Sequence, residues 1–123
     1  MPAFDSVLIV DDNRDSLSLL GQLLGALGAK RVYPVASAEE ALEVLQEESF
    51  SIILADYRLE GMDGLEFLNR LRSSGNATPV MILSGAPDKQ EIVRASSHER
   101  VDFFPKPFRI AELTGAMERL LAA

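Results

Sequence analysis

Short apolar runs alternate along this chain with segments whose leucines recur at three- and four-residue steps, and that alternation leaves few folds open to it. Val7-Leu8-Ile9-Val10 is followed by Leu17, Leu20, Leu24 and Leu27, a strand and then a helix with those four leucines on its buried face. Gly28 stands just past the last of them, where a left-handed C-cap belongs. Val32-Tyr33-Pro34-Val35 reads as a second strand, and its proline, which cannot donate to a ladder, places it at a sheet edge. Ser37-Ala38-Glu39-Glu40 is a capping box ahead of Ala41, Leu42 and Leu45. Ser51-Ile52-Ile53-Leu54-Ala55 shows no polar alternation, as expected of a strand covered on both faces.

Gly61, Asp63 and Gly64 then make a turn into a third helix carrying Leu65, Leu68 and Leu71. Pro79-Val80-Met81-Ile82-Leu83 is the fourth strand. A weaker helix is predicted from about Asp88 to Ser96, with only Ile92, Val93 and Ala95 to bury. Val101-Asp102-Phe103-Phe104 is a short fifth strand, and Ile110, Leu113, Met117 and Leu120 mark a final helix. Five strands alternating with helices require right-handed crossovers and a parallel sheet covered on both sides. The expected fold is a flavodoxin-like (βα)5 three-layer sandwich of strand order 2-1-3-4-5, one domain spanning residues 1–123. At 47% hydrophobic and 25% charged residues the chain has ordinary globular composition and can bury one core unaided.

Other bulk features exclude whole classes of function. A net charge of −7 leaves no basic face with which to displace counterions from a nucleic acid. The absence of cysteine rules out disulfides and thiolate metal sites and fits a reducing cytoplasm. No stretch approaches the roughly 20 apolar residues that span a bilayer, so no membrane partner is expected.

The chemistry gathers at the ends of the strands. Strand 1 ends in Asp11-Asp12, strand 3 in Asp56, strand 4 in Ser84, and strand 5 runs into Lys106-Pro107. In an open parallel sheet these positions share the carboxyl edge, where ligands bind. Three carboxylates brought together repel unless a cation or proton intervenes, so the cluster is expected to cost the metal-free fold some stability. All-oxygen donors suit a hard ion such as Mg²⁺, and a lysine and a hydroxyl opposite them would hold phosphoryl oxygens. Each residue also has a plainer reading: Asp12 or Asn13 as the N-cap of helix 1, Asp56 and Ser84 as turn residues, Lys106 as a solvated surface group. Four such coincidences at one edge weigh against that set of explanations. His98, the single histidine, lies apart in a polar stretch and reads as an exposed loop residue.

Val7-Leu8-Ile9-Val10-Asp11-Asp12-Asn13, Ala55-Asp56-Tyr57-Arg58-Leu59 with Gly61-Met62-Asp63-Gly64, Ile82-Leu83-Ser84-Gly85 and Lys106-Pro107-Phe108 together resemble the receiver domains of two-component response regulators, over essentially the whole chain. The resemblance implies a phosphoacceptor switch, not an enzyme with a substrate of its own, with Asp56 taking a phosphoryl group from a sensor histidine kinase or a histidine phosphotransfer protein and slowly losing it again. It implies Mg²⁺ (or Mn²⁺) bound directly by Asp12 and Asp56, through water by Asp11, and by the backbone carbonyl of Arg58. Ser84 matches the hydroxyl that turns toward the phosphoryl group, Lys106 its ion-pair partner, and Phe103 the aromatic that changes rotamer with Ser84. The Lys106-Pro107 peptide is expected to be cis. Arg58 and Ala86 match rim positions that tune the phosphorylated lifetime. An output domain in a longer chain or a phosphorylation-dependent homodimer would carry the signal on.

One departure stands out: Glu99-Arg100 occupies positions where receivers usually place Gly-Ala before strand 5. Three rival functions fit less well. A haloacid-dehalogenase-like phosphatase would need an Asp-x-Asp unit after strand 1 and a cap insertion, and a flavin carrier would need a loop there rich in Ser, Thr and Gly; neither is present. A degenerate receiver acting only as a protein-interaction module would not need Asp11, Asp12, Asp56, Ser84 and Lys106 together.

Overall fold

The computed structural model describes residues 5–85 and 99–122. Along the chain run β1 (Ser6–Val10), α1 (Arg14–Ala26), β2 (Arg31–Val35), α2 (Ala38–Glu47), β3 (Ile52–Asp56), α3 (Gly64–Ser73), β4 (Val80–Ser84), β5 (Val101–Pro105) and α4 (Ile110–Ala122). The five strands form one parallel sheet in the order β2-β1-β3-β4-β5, as the alternation requires. Pro34 sits on the edge strand β2. The helix expected near Asp88–Ser96, together with Ala86 and His98, lies outside the described residues.

The central strands lack polar alternation because both of their faces are covered. Leu8, Val10, Ile53, Ala55, Val80 and Ile82 pack with Ala38, Ala41, Leu65, Leu68 and Leu71 on the α2–α3 side. The intervening Val7, Ile9, Ile52, Leu54, Met81 and Leu83 pack with Leu20, Leu24, Leu113 and Met117 on the α1–α4 side. Burial of these side chains, at roughly 1.5–3 kcal/mol each, supplies most of the drive to fold.

Local signals set the helix ends. Asn13, one of the two candidate caps, accepts from the Ser16 N–H and starts α1. Ser37 accepts from Glu40 and starts α2, and Asp63 accepts from Glu66 and starts α3. At the end of α1, Gly28 has φ 105° and donates to Gly25 O, while Ala29 donates to Leu24 O. This paired closure is the Schellman arrangement, repeated after α3 at Gly75 and Asn76. It corrects one expectation: Leu27 is not part of the buried stripe but caps α1 and is 47% exposed.

The Glu99-Arg100 departure has a structural counterpart. Arg100 takes the left-handed conformation, φ 56°, that a glycine would adopt without strain. It is held there by Arg72, near the end of α3, whose guanidinium donates to the carbonyls of Asn76, Thr78, Glu99 and Arg100. The Arg100 carbonyl also accepts from Val80 N–H at 2.9 Å, so Arg72 grips the peptide that opens the β4–β5 pairing. Burial pushes the Arg72 guanidinium down from its ordinary pKa, with the Arg100 charge adding to the effect, but arginine stays charged.

Arg72→Ala should therefore lower stability by about 2–3 kcal/mol in urea unfolding, since several carbonyls lose a charged donor at once. Arg72→Lys should recover under half of that, because an ammonium cannot reach four carbonyls as a planar fork does. Arg100→Gly should raise stability by about 1 kcal/mol by relieving the left-handed backbone.

Candidate functional site

Parallel strands end together, and the residues singled out by sequence meet there. Asp11 follows β1, its N–H continuing the ladder to Val35 O at 3.1 Å, and its carboxylate turns back to accept from Asn13 N–H at 2.9 Å. That turn leaves Asp11 only 8% exposed, whereas Asp12 beside it is exposed and Asp56, the last residue of β3, is half-buried. One carboxylate oxygen from each of Asp11, Asp12 and Asp56 lies within 4.8 Å of the other two.

Lys106 enters this cluster from beyond β5. Its Nζ stands 2.7 Å from Asp56 Oδ1, and its N–H donates to Ser84 O at 2.8 Å. The Lys106-Pro107 peptide is cis, as expected. Ser84 ends β4 and is 5% exposed. The N–H of Tyr57, the residue after Asp56, donates to Leu83 O at 2.8 Å, and its carbonyl accepts from Gly64 N–H at 2.7 Å. The backbone that carries Asp56 is thus tied to β4 on one side and to the start of α3 on the other. A Cβ at Gly64 would come within 3.2 Å of Tyr57 Cα, so glycine permits this close approach. Phe103 is half-buried, its ring centroid 6.4 Å from that of Tyr57. The Arg58 side chain is exposed and makes no ion pair with a described residue.

The charge balance is uneven. Burial pushes the Asp11 carboxyl above its ordinary pKa, and the Asp56 and Asp12 charges push the same way; the Asn13 N–H and the Lys106 ammonium offset this only in part. Asp56 by contrast has its own counter-charge in Lys106. The expected cost of crowding these acids therefore falls on Asp11. Sequence reasoning had paired Lys106 with an incoming phosphoryl group, and the direct contact with Asp56 is an addition to that picture.

Sequence reasoning also missed a cleft of about 530 Å³ that opens beside Asp11 and Lys106. Leu19, Leu20 and Leu23 of α1 form one wall, and Phe108 and Ile110 form the other. Leu19 is 60% exposed. The available signal was that Leu19 and Leu23 fall off the Leu17–Leu20–Leu24 stripe and so were left over from the core.

This geometry has close counterparts in known proteins. Residues 7–118 match the family model described as response regulator receiver domain. A probable chemotaxis protein CheY from Rhizobium etli is 29% identical over 119 residues, covering 95% of this chain and 92% of that protein. The C4-dicarboxylate transport transcriptional regulatory protein DctD of Rhizobium meliloti is 33% identical over 97% of this chain, which spans only 26% of DctD. Among solved structures, the chemotaxis protein CheY4 of Vibrio cholerae superposes with a TM-score of 0.86 at 25% identity, covering 94% of this chain and 97% of that one. With its strand order, its acidic cluster and a family match that runs from β1 into α4, the chain belongs to the response regulator receiver domains, the phosphoacceptor switches of two-component signalling.

Proposed function

We propose that Asp56 is the acceptor, taking a phosphoryl group from the phosphohistidine of a sensor histidine kinase or a histidine phosphotransfer protein. The observation that carries this reading is the convergence of three carboxylates with Lys106 Nζ, 2.7 Å from Asp56 Oδ1, at one sheet edge. A carboxylate oxygen of Asp56 attacks the phosphorus in line; the O–P bond forms as the donor's N–P bond breaks, and the imidazole leaves and takes up a proton from solvent. The donor set is all oxygen and within 4.8 Å, which fits a hard divalent ion such as Mg²⁺ or Mn²⁺. Asp12 and Asp56 would hold it directly, Asp11 through water and Arg58 through its carbonyl, and when bound it would neutralise the acids that otherwise repel an incoming phosphoryl group.

Lys106 then exchanges its bond to Asp56 for one to a phosphoryl oxygen, and Ser84 turns its hydroxyl to another. Phe103 follows Ser84, and the side chains at positions 58 and 86, Arg58 and Ala86, tune how readily hydrolytic water enters. The phosphorylated state decays slowly by that hydrolysis. The cleft beside Lys106 supports a protein donor, because an apolar helix seated on Leu19 and Leu23 would bring its histidine to the adjoining acid cluster. Output passes to a partner, to a phosphorylation-dependent homodimer or to a domain of a longer chain, and the cytoplasm is the compartment that fits a cysteine-free switch of this kind. Among the described residues no helix is long and apolar enough to cross a membrane.

Intact-mass measurement after acetyl phosphate and Mg²⁺ should show one added phosphate on the wild type and none on Asp56→Asn or in EDTA. Equal labelling of the mutant would overturn the assignment to Asp56, and an unlabelled wild type would favour the interaction-module reading.

Asp11→Asn should raise the melting temperature in EDTA at pH 7 by about 2–5 °C, since the amide keeps an acceptor for Asn13 and removes the buried charge. Because Asp11 holds its proton more tightly folded than unfolded, its cost is full above the raised pKa and fades as pH falls through it. The gap between mutant and wild type should therefore close on acidification, and Mg²⁺ should stabilise the wild type more than the mutant.

Leu19→Glu should cut phosphotransfer from a protein donor about tenfold, equivalent to about 1.4 kcal/mol of lost contact, while acetyl phosphate labels it at the wild-type rate. Parallel time courses with the two donors check this.

A further inference from the structure

Phe103 has no hydroxyl with which to hold either of two rotamers, so apolar neighbours must set where its ring sits. One of them is the ring of Tyr57, 6.4 Å away between centroids and tilted by 44°. Both rings pack on the α2–α3 core, and register places Ile82 of that core opposite Phe103, so Ser84, two residues along β4, faces the same side. The Tyr57 backbone is also tied on both sides. Its N–H is bound to the carbonyl of Leu83, which shares a peptide with Ser84, and its carbonyl is bound to Gly64 under the first turn of α3. A single residue thus adjoins the acceptor Asp56 along the chain, the hydroxyl-bearing peptide through its backbone and the mobile aromatic through its side chain.

We infer that Tyr57 is a positioning residue of the switch: its ring is the fixed stop against which Phe103 changes place when Ser84 is drawn toward a phosphoryl group on Asp56. The inference rests on the phosphoacceptor reading of Asp56 and extends it. Movement of Ser84 strains the Leu83–Ser84 peptide against the Tyr57 N–H, and the space freed beside the anchored ring is taken by Phe103. Without an aromatic stop, Phe103 samples several positions in both states and the difference between the states shrinks, which is how a population-shift switch loses its output.

The test uses beryllofluoride with Mg²⁺ as the phosphoryl mimic, ¹⁹F NMR to count bound fluoride, and ring-labelled phenylalanine with the Phe103 signal assigned by Phe103→Leu. On saturation the Phe103 ring signal should move in the wild type and in Tyr57→Phe, and lose most of that movement in Tyr57→Leu although fluoride is bound. An equal movement in Tyr57→Leu would overturn the inference and leave the acceptor reading standing. No bound fluoride in the wild type would overturn the acceptor reading, and the inference with it. A second measurement needs no change at position 57. The chain has two tyrosines and no tryptophan, so Tyr33→Phe leaves Tyr57 as the sole emitter. Its emission should change with the midpoint of fluoride binding and lose that change in Ser84→Ala. Flat emission with fluoride bound would overturn the inference.

Discussion

A parallel sheet covered on both faces has no room for charge along its central strands, so its polar chemistry must stand at the strand ends. Because every crossover returns the chain to the same starting edge, the ends that matter all lie on one side. Four separate stretches of sequence, at residues 11–12, 56, 84 and 106, are joined by this one constraint. The site is therefore a by-product of topology, and its carboxylates are crowded because the strands that carry them are neighbours. β1 pairs with β3, and each delivers its acids at the edge they share.

That crowding is managed by one lysine. Lys106 neutralises Asp56, with their side chains 33% and 16% exposed, so the pair lies between the surface limit of under about 1 kcal/mol and the stronger, desolvated regime. Asp11 and Asp12 are left with two negative charges and no ammonium of their own within ion-pair distance among the described residues. Asp12 disperses its charge into solvent, and Asp11, nearly buried, cannot. The cluster's charge is thus unbalanced at Asp11 and balanced at Asp56.

Much of this was legible in sequence, because long-range order here follows from local signals. Periodic leucines, the Ser37 cap and the unbroken run at Ile52–Ala55 each carry their own physical reason, and the strand ends then point to the candidate site residues. Less was legible where a side chain has two equally good uses. Asp12 and Asn13 were equivalent as caps until the Asp11 carboxylate took the Asn13 N–H and left the Asn13 side chain to close α1. Leu27 continues the stripe in spacing but falls after the last turn, where it is left 47% exposed. Arg72 and Tyr57 carry no sequence signal, since what they do depends on carbonyls and rings far off in the chain.

The Arg72 anchor grips only main-chain oxygens, two just before β4 and two just before β5. The hydrogen bonds of such a joint reach only the main chain, although the side-chain charges of Glu99 and Arg100 also act on Arg72. Glu99 and Arg100 are held by Arg72 through their carbonyls, which any residue able to bear the left-handed turn would also offer. The register of β5 is in that sense fixed from the main chain, by carbonyls that every residue carries, and not by the side chains of the stretch that leads into it.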